Sequence, residues 1–143
     1  MNDVLTFQNA LYFTGVVQFS ILTASALVPV VLDWKTLLQP LPPFLRTLFW
    51  VYGAFIVLMI ISLATLTLLC APEMAAGQPV ARAVSGVVAV FWGARLLVQL
   101  FVFDASAYLT NAWLKLGNHA LTVAFTLVTT VHALAAVRPW FVL

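Results

Sequence analysis

Charge is what this sequence has least of. Only 7% of its 143 residues are Asp, Glu, Lys or Arg, against 64% that are hydrophobic, whereas an average soluble domain is about one quarter charged. Such depletion places the chain among membrane proteins before any motif is read. The six basic and four acidic side chains leave a net charge of +2. They form no basic cluster and no RNA-binding or zinc-finger signature, which excludes nucleic acid as a partner.

Cysteine is nearly absent as well. Cys70 stands alone, so an intrachain disulfide, a thiol redox pair and a cysteine zinc site are all excluded. Quinone-coupled four-helix thiol oxidoreductases, which need paired cysteines, drop out with them. Cys70 reads as a small apolar filler near a helix end. The two histidines, His119 and His132, lie thirteen apart in one apolar run. A bis-histidine haem needs ligands facing each other from two elements, so a haem held by two histidines of this chain is excluded.

Carboxylates are missing from the apolar runs. Asp3, Asp33 and Asp104 all lie at their ends. That removes the small multidrug exchangers, which need a carboxylate in their first helix, and the aspartyl signal peptidases, which use two intramembrane aspartates. The CDP-alcohol transferases need an aspartate cluster and drop out for the same reason. There is no G-x-S-x-G and no H-E-x-x-H, so serine and zinc proteases have no signature here. Nor is there the charged ring or filter sequence of an ion channel. No metal and no cofactor are expected.

What the chain does have is four long uncharged runs: 4–32, 47–72, 83–103 (interrupted only by Arg95) and 116–137. A membrane span needs about 20 residues, and in lipid the backbone must satisfy its own hydrogen bonds, which makes these runs helices. The alternating ten-residue segments of an outer-membrane barrel are not found. The predicted fold is therefore all-α: one domain, 1–143, forming a four-transmembrane-helix bundle with helices over about 11–32, 44–71, 80–103 and 114–138. The connections are short, with interfacial segments after the first and third helices. The N-terminal stretch lacks the positive region of a signal peptide and is expected to remain as the first membrane helix. Thr14, Gln18 and Ser25 fall on the face of that helix turned to the bundle.

The connections carry the anchoring residues. Asp33 is expected to cap a short interfacial helix that holds Trp34 at headgroup level. Pro40, Pro42 and Pro43 then break the chain and start the second helix, where Arg46, Trp50 and Tyr52 follow. Arg138 and Trp140 anchor the end of the fourth helix. Positive charges near the helix ends number two on the side of the termini, Arg82 and Arg138, and three on the other, Lys35, Arg46 and Lys115. The positive-inside rule leans toward termini outside, but so even a count fixes no orientation.

The third helix holds the candidate site. Ala81, Ser85, Ala89 and Gly93 form a row four apart, the spacing through which a second helix packs closely. Arg95, Gln99, Trp92 and Ser85 share roughly one quarter of its circumference, and the opposite side, with Val87, Val90, Leu97, Val98 and Phe101, faces lipid. Arg95 lies about 13 Å below the Asp104 end, where a guanidinium needs a partner or a polar cavity. His119 lies roughly 5 to 8 Å below the same end. Arg95, Gln99, His119, Trp92, Asp104 and Tyr108 are therefore the candidate ligand-binding residues. Arg95 can hold a phosphate, a carboxylate or a quinone carbonyl, Gln99 can add a directional bond and His119 can relay a proton.

A structural reading stands beside this one. In it Arg95 pairs with Asp104, Asp33 or backbone carbonyls and fixes helix register, or snorkels to the surface. His119 and His132 are packing residues, and the stripe of His119, Thr122, Thr126, Thr129 and Thr130 holds helices together. Two classes of function follow. The first is a non-catalytic subunit or scaffold of a larger membrane assembly, partnered by lipids and by other membrane subunits or copies of itself, in a bacterial inner membrane. The second is a small binding protein or enzyme for an amphiphile such as a lipid, isoprenoid or quinone.

Overall fold

The computed structural model describes residues 2–104 and 106–138; Trp140, expected as an anchor, lies outside them. Among the described residues six helices follow in order: α1 (Asn2–Val31), α2 (Trp34–Leu37), α3 (Pro43–Leu69), α4 (Ala71–Ala75), α5 (Pro79–Phe101) and α6 (Ala112–Val137). Four of them, α1, α3, α5 and α6, are long and apolar enough to cross a membrane. No strand occurs among the described residues. The chain is an integral membrane protein built as an all-α bundle.

Local chemistry sets the helix ends. Pro43, Pro72 and Pro79 each occupy a first-turn position, where the missing N–H is not needed and the fixed φ suits a helix. Asn111 caps α6 by accepting the Leu114 N–H at 2.9 Å. Asp33 stands at the N-cap of α2 but caps nothing with its side chain; its backbone is left-handed, φ 46°, and it turns the chain out of α1. Gly77, φ 73°, makes the corresponding turn between α4 and α5, in the conformation glycine adopts without strain.

The first helix starts at Asn2 rather than near Leu11. Its thirty residues span about 45 Å, more than the roughly 30 Å hydrocarbon core. The extra turns have a platform. Leu11 is fully buried with Ala71, Met74 and Ala75 of α4, and Phe7 packs against the same cluster. The connection after α3 is thus a folded element that closes one end of the bundle.

The spans form two consecutive pairs, α1 with α3 and α5 with α6, joined mainly along α1 and α6, while α3 and α5 barely meet. Small residues bring the members of each pair together. A methyl group on Gly15 would lie 2.7 Å from Leu68 Cγ, and one on Gly93 would lie 3.3 Å from Thr129 Cγ2. Gly86 faces Ala136 in the same way, more loosely, at 3.9 Å. The core between the pairs is filled by Ile21, Ile60, Leu63, Val88, Trp92, Phe125 and Val128.

Candidate functional site

Polar side chains gather at two levels of the bundle, and the two groups differ in kind. The first is central. Gln18 lies on the inner face of α1, one turn from Thr14, and both are fully buried. Its amide donates from Nε2 to Thr67 Oγ1 of α3 at 3.0 Å. Its Oε1 accepts the indole N–H of Trp92 on α5, also at 3.0 Å. One side chain thereby links three spans.

His132 of α6 completes this group. Its Nε2 lies 3.4 Å from Thr14 Oγ1 and 3.5 Å from Thr67 Oγ1. Both hydroxyls already donate to carbonyls of their own helices, Thr14 to Leu11 O at 2.8 Å and Thr67 to Leu63 O at 2.9 Å. They can only accept from the ring, which assigns the proton to Nε2. Nδ1 of His132 and Oγ of Ser85, both buried, have no hydrogen-bond partner among the described residues. Trp92 stacks on Phe125, centroids 5.4 Å apart. The group is closed to the outside: Trp92, Phe125, Gln18, Thr14, Thr67, Ser85 and His132 are each less than 2% exposed.

The second group surrounds Arg95, nearer the end of the bundle formed by α2 and the 102–111 connection. Arg95 is half-buried. Its Cζ lies 5.3 Å from the ring centroid of Phe103 and 5.6 Å from that of Phe125, within cation–π range. Among the described residues it has no carboxylate partner and no hydrogen-bond acceptor. Gln99 is engaged by α6: its Nε2 donates to Thr122 Oγ1 at 2.7 Å and to Asn118 O at 3.2 Å.

His119, Asp104 and Tyr108 are exposed, and among the described residues no hydrogen bond joins them to Arg95. Asp104 accepts the Ser106 backbone N–H at 3.1 Å; the Ser106 hydroxyl, then this N–H, hold its carboxyl below the ordinary value. Of the six candidate ligand residues, then, Arg95 and Trp92 share Phe125 as a neighbour, Gln99 ties α5 to α6, and the other three stand apart at the surface.

The other arginines have partners. Arg46 Nη2 donates to Gln39 O and Leu41 O, at 2.8 and 3.2 Å, bracing the turn before α3. Arg82 Nε donates to Ala136 O at 3.0 Å, a cation at a helix C-terminus. Arg138 lies over the Phe7 ring at 4.4 Å. In the row of small residues, Ala81 and Ser85 are buried, and Ala89 and Gly93 are half-buried.

Sequence reasoning puts Gln18 and His132 in one half of the bundle, spaced apart and with Glu73, and leaves Thr67 out of that group. A signal was present: Phe125, Val128, His132 and Ala135, the buried residues of α6, repeat with the three-and-four spacing of an inward face. The neighbouring hydroxyl row divides: Thr122 and Thr129 meet Gln99 and Gly93 of α5, while Thr126 and Thr130 are exposed.

Among the described residues no three His, Cys, Asp or Glu side chains group closely enough to hold a metal ion. No known family model matches the chain, and neither does any curated protein or solved structure.

Proposed function

We propose that the protein is a non-catalytic subunit or scaffold that packs within a larger membrane assembly, in a bacterial inner membrane. The observation that carries this reading is the outer face of α6. There Thr122, Val123, Thr126, Leu127 and Thr130 line an open groove of about 390 Å³. Hydroxyls four residues apart on a lipid-level face match the surface through which membrane helices pair. The central polar group supports the same reading, because its hydrogen bonds join the chain's own helices instead of facing a substrate.

In-membrane crosslinking tests the proposal. With Cys70→Ala as background, Thr126→Cys is expected to form a disulfide or bifunctional adduct with a neighbouring membrane protein or a second copy. Lys115→Cys, on the exposed first turn of the same helix, serves as the off-groove control. A protein that stays monomeric from both positions in native membranes rejects the assembly role.

A second reading, a binding protein for an amphiphile, is favoured by one observation: the guanidinium of Arg95 lies within a span with no anionic partner among the described residues. Native mass spectrometry from mild detergent separates the two. Co-purifying subunits support the first, and a small amphiphile held by the isolated chain supports the second.

A further inference from the structure

We infer that Arg95 is the head site for one single-chain carboxylate amphiphile, such as a long-chain fatty acid, whose tail lies in an opening between α3 and α5. The inference rests on the amphiphile reading and names its ligand class.

The first observation is that the bundle is closed over only part of its length. The buried residues of the four spans all lie toward the α4 end. The last of them are Ile21, Ile60, Trp92 and Phe125, one from each span, and all four belong to the central core. Beyond that layer, toward α2 and the 102–111 connection, no span residue is buried among the described residues.

The inward face of α5 continues past the layer. Ala81, Ser85, Val88 and Trp92 are buried at alternating steps of four and three, and the next two steps are Arg95 and Gln99. Both are half-buried. The guanidinium rests on the layer itself, 5.6 Å from the ring of Phe125. On α3 the same spacing runs back from Thr67, Leu63 and Ile60 to Ile56, Gly53 and Phe49. Ile56 and Phe49 lie on this inward stripe, yet they are 55% and 46% exposed. Because α3 and α5 barely meet, the interior of this half opens to the bilayer between them. Trp34 of α2 bounds it from above, with its ring edge-on to Phe49 at 5.2 Å and in reach of Gly53.

The second observation is the charge inside this space. The rings of Phe103 and Phe125 stabilise the guanidinium but leave its N–H fork unpaired among the described residues. A carboxylate matches that fork with two parallel hydrogen bonds. Depth selects among acids. Arg95 lies roughly 9 Å below the Phe101 end of α5, against the closed layer. A carboxylate terminates its own chain and enters with nothing beyond it, whereas a phosphodiester is substituted on both sides and brings a headgroup along. Phe49, Ile56 and Met59, all exposed, give the tail an apolar wall. A helix from another chain would fill the opening but would have to place a carboxylate at this depth, where carboxylates are rare.

The test uses the full chain, labelled with ¹⁵N at the arginine guanidinium and reconstituted in dioleoylphosphatidylcholine vesicles. The probe is oleate, labelled with ¹³C at its carboxyl. Solid-state nitrogen–carbon recoupling is expected to dephase one arginine signal, and Arg95→Gln is expected to remove it. Native mass spectrometry from mild detergent with oleate is expected to show one retained acid. Its affinity should fall about tenfold in Arg95→Gln and in Ile56→Trp, which fills the opening at an exposed position. Val90→Trp, on the outer face of α5, should leave it unchanged.

No contact between the oleate carboxyl and an arginine in the wild type overturns the inference, whether or not the variants fold. Displacement of oleate by an equal amount of dioleoylphosphatidylglycerol overturns the carboxylate as the preferred head. An equal loss in Val90→Trp overturns the opening as the place of the tail. If oleyl alcohol is retained as well as oleate, and equally by Arg95→Gln, this inference fails while the broader reading stands. If no amphiphile is retained under any condition, both fail.

Discussion

Gln18 and Arg95 both lie inside spanning helices, and the bundle treats them oppositely. The Gln18 amide has a partner at each end, on two different helices, and no exposure. The Arg95 guanidinium rests on two aromatic rings and has no acceptor among the described residues. Polarity that is closed on itself can only hold helices in place. Polarity left open at the membrane face can receive something from outside. The difference separates architecture from candidate function within one small protein.

The sharpest way to break the comparison is to attack the closed centre. Trp92→Ala removes the largest buried side chain, its stack on Phe125 and the donor to Gln18. It should destabilise the bundle by about 3 kcal/mol or more, read by steric trapping or by unfolding in mixed micelles. Gly15→Leu comes next. It drives a side chain into Leu68 of α3 and should cost about 1–3 kcal/mol. Gln18→Leu strips the polar link but keeps most of the volume. A double-mutant cycle with Trp92→Phe should return a coupling of about 1 kcal/mol, within the range of interhelical hydrogen bonds in membranes.

The open region should answer differently. Arg95→Gln is expected to cost only about 0.5–1 kcal/mol, the worth of its contacts with the Phe103 and Phe125 rings; a loss as large as that of Trp92→Ala would erase the distinction. The smallest effect belongs to Asp104. Its carboxyl is lowered by Ser106 in the folded protein, so its contribution is present above the ordinary carboxylate range and fades as pH falls through the lowered value. Carboxyl NMR should find Asp104 titrating below the ordinary Asp range, and Ser106→Ala should move it back up.

Particular residues decide how much of this was legible in the sequence. The four spans were, because an apolar run of twenty residues has few other stable forms in lipid. The start of α1 was not. The expected start near residue 11 leaves out Asn2, Asp3, Gln8 and Asn9, whereas Leu11 and Phe7 find an apolar platform in α4, an element of five residues too short for any periodicity. The central polar group was half legible. Helical spacing shows that Thr14 and Gln18 share a face, and that Phe125 and His132 share another. It does not show how far each helix is rotated about its axis, and that rotation decides whether His132 meets Gln18 or Arg95 meets Asp104. The bareness of Arg95 was illegible for the same reason: a lack of partners is a property of the whole assembly of helices.

The Gln18 side chain also has a consequence for biogenesis. Its bond to Thr67 lies within the first helical hairpin, α1 to α3, and can form as soon as that hairpin has left the translocon. Its acceptor oxygen stays vacant until Trp92 arrives with the second hairpin. A nascent chain halted after α3 therefore carries an unfilled carbonyl at the centre of its lipid-exposed inner face, the kind of mark by which membrane quality control tells a half-made protein from a finished one.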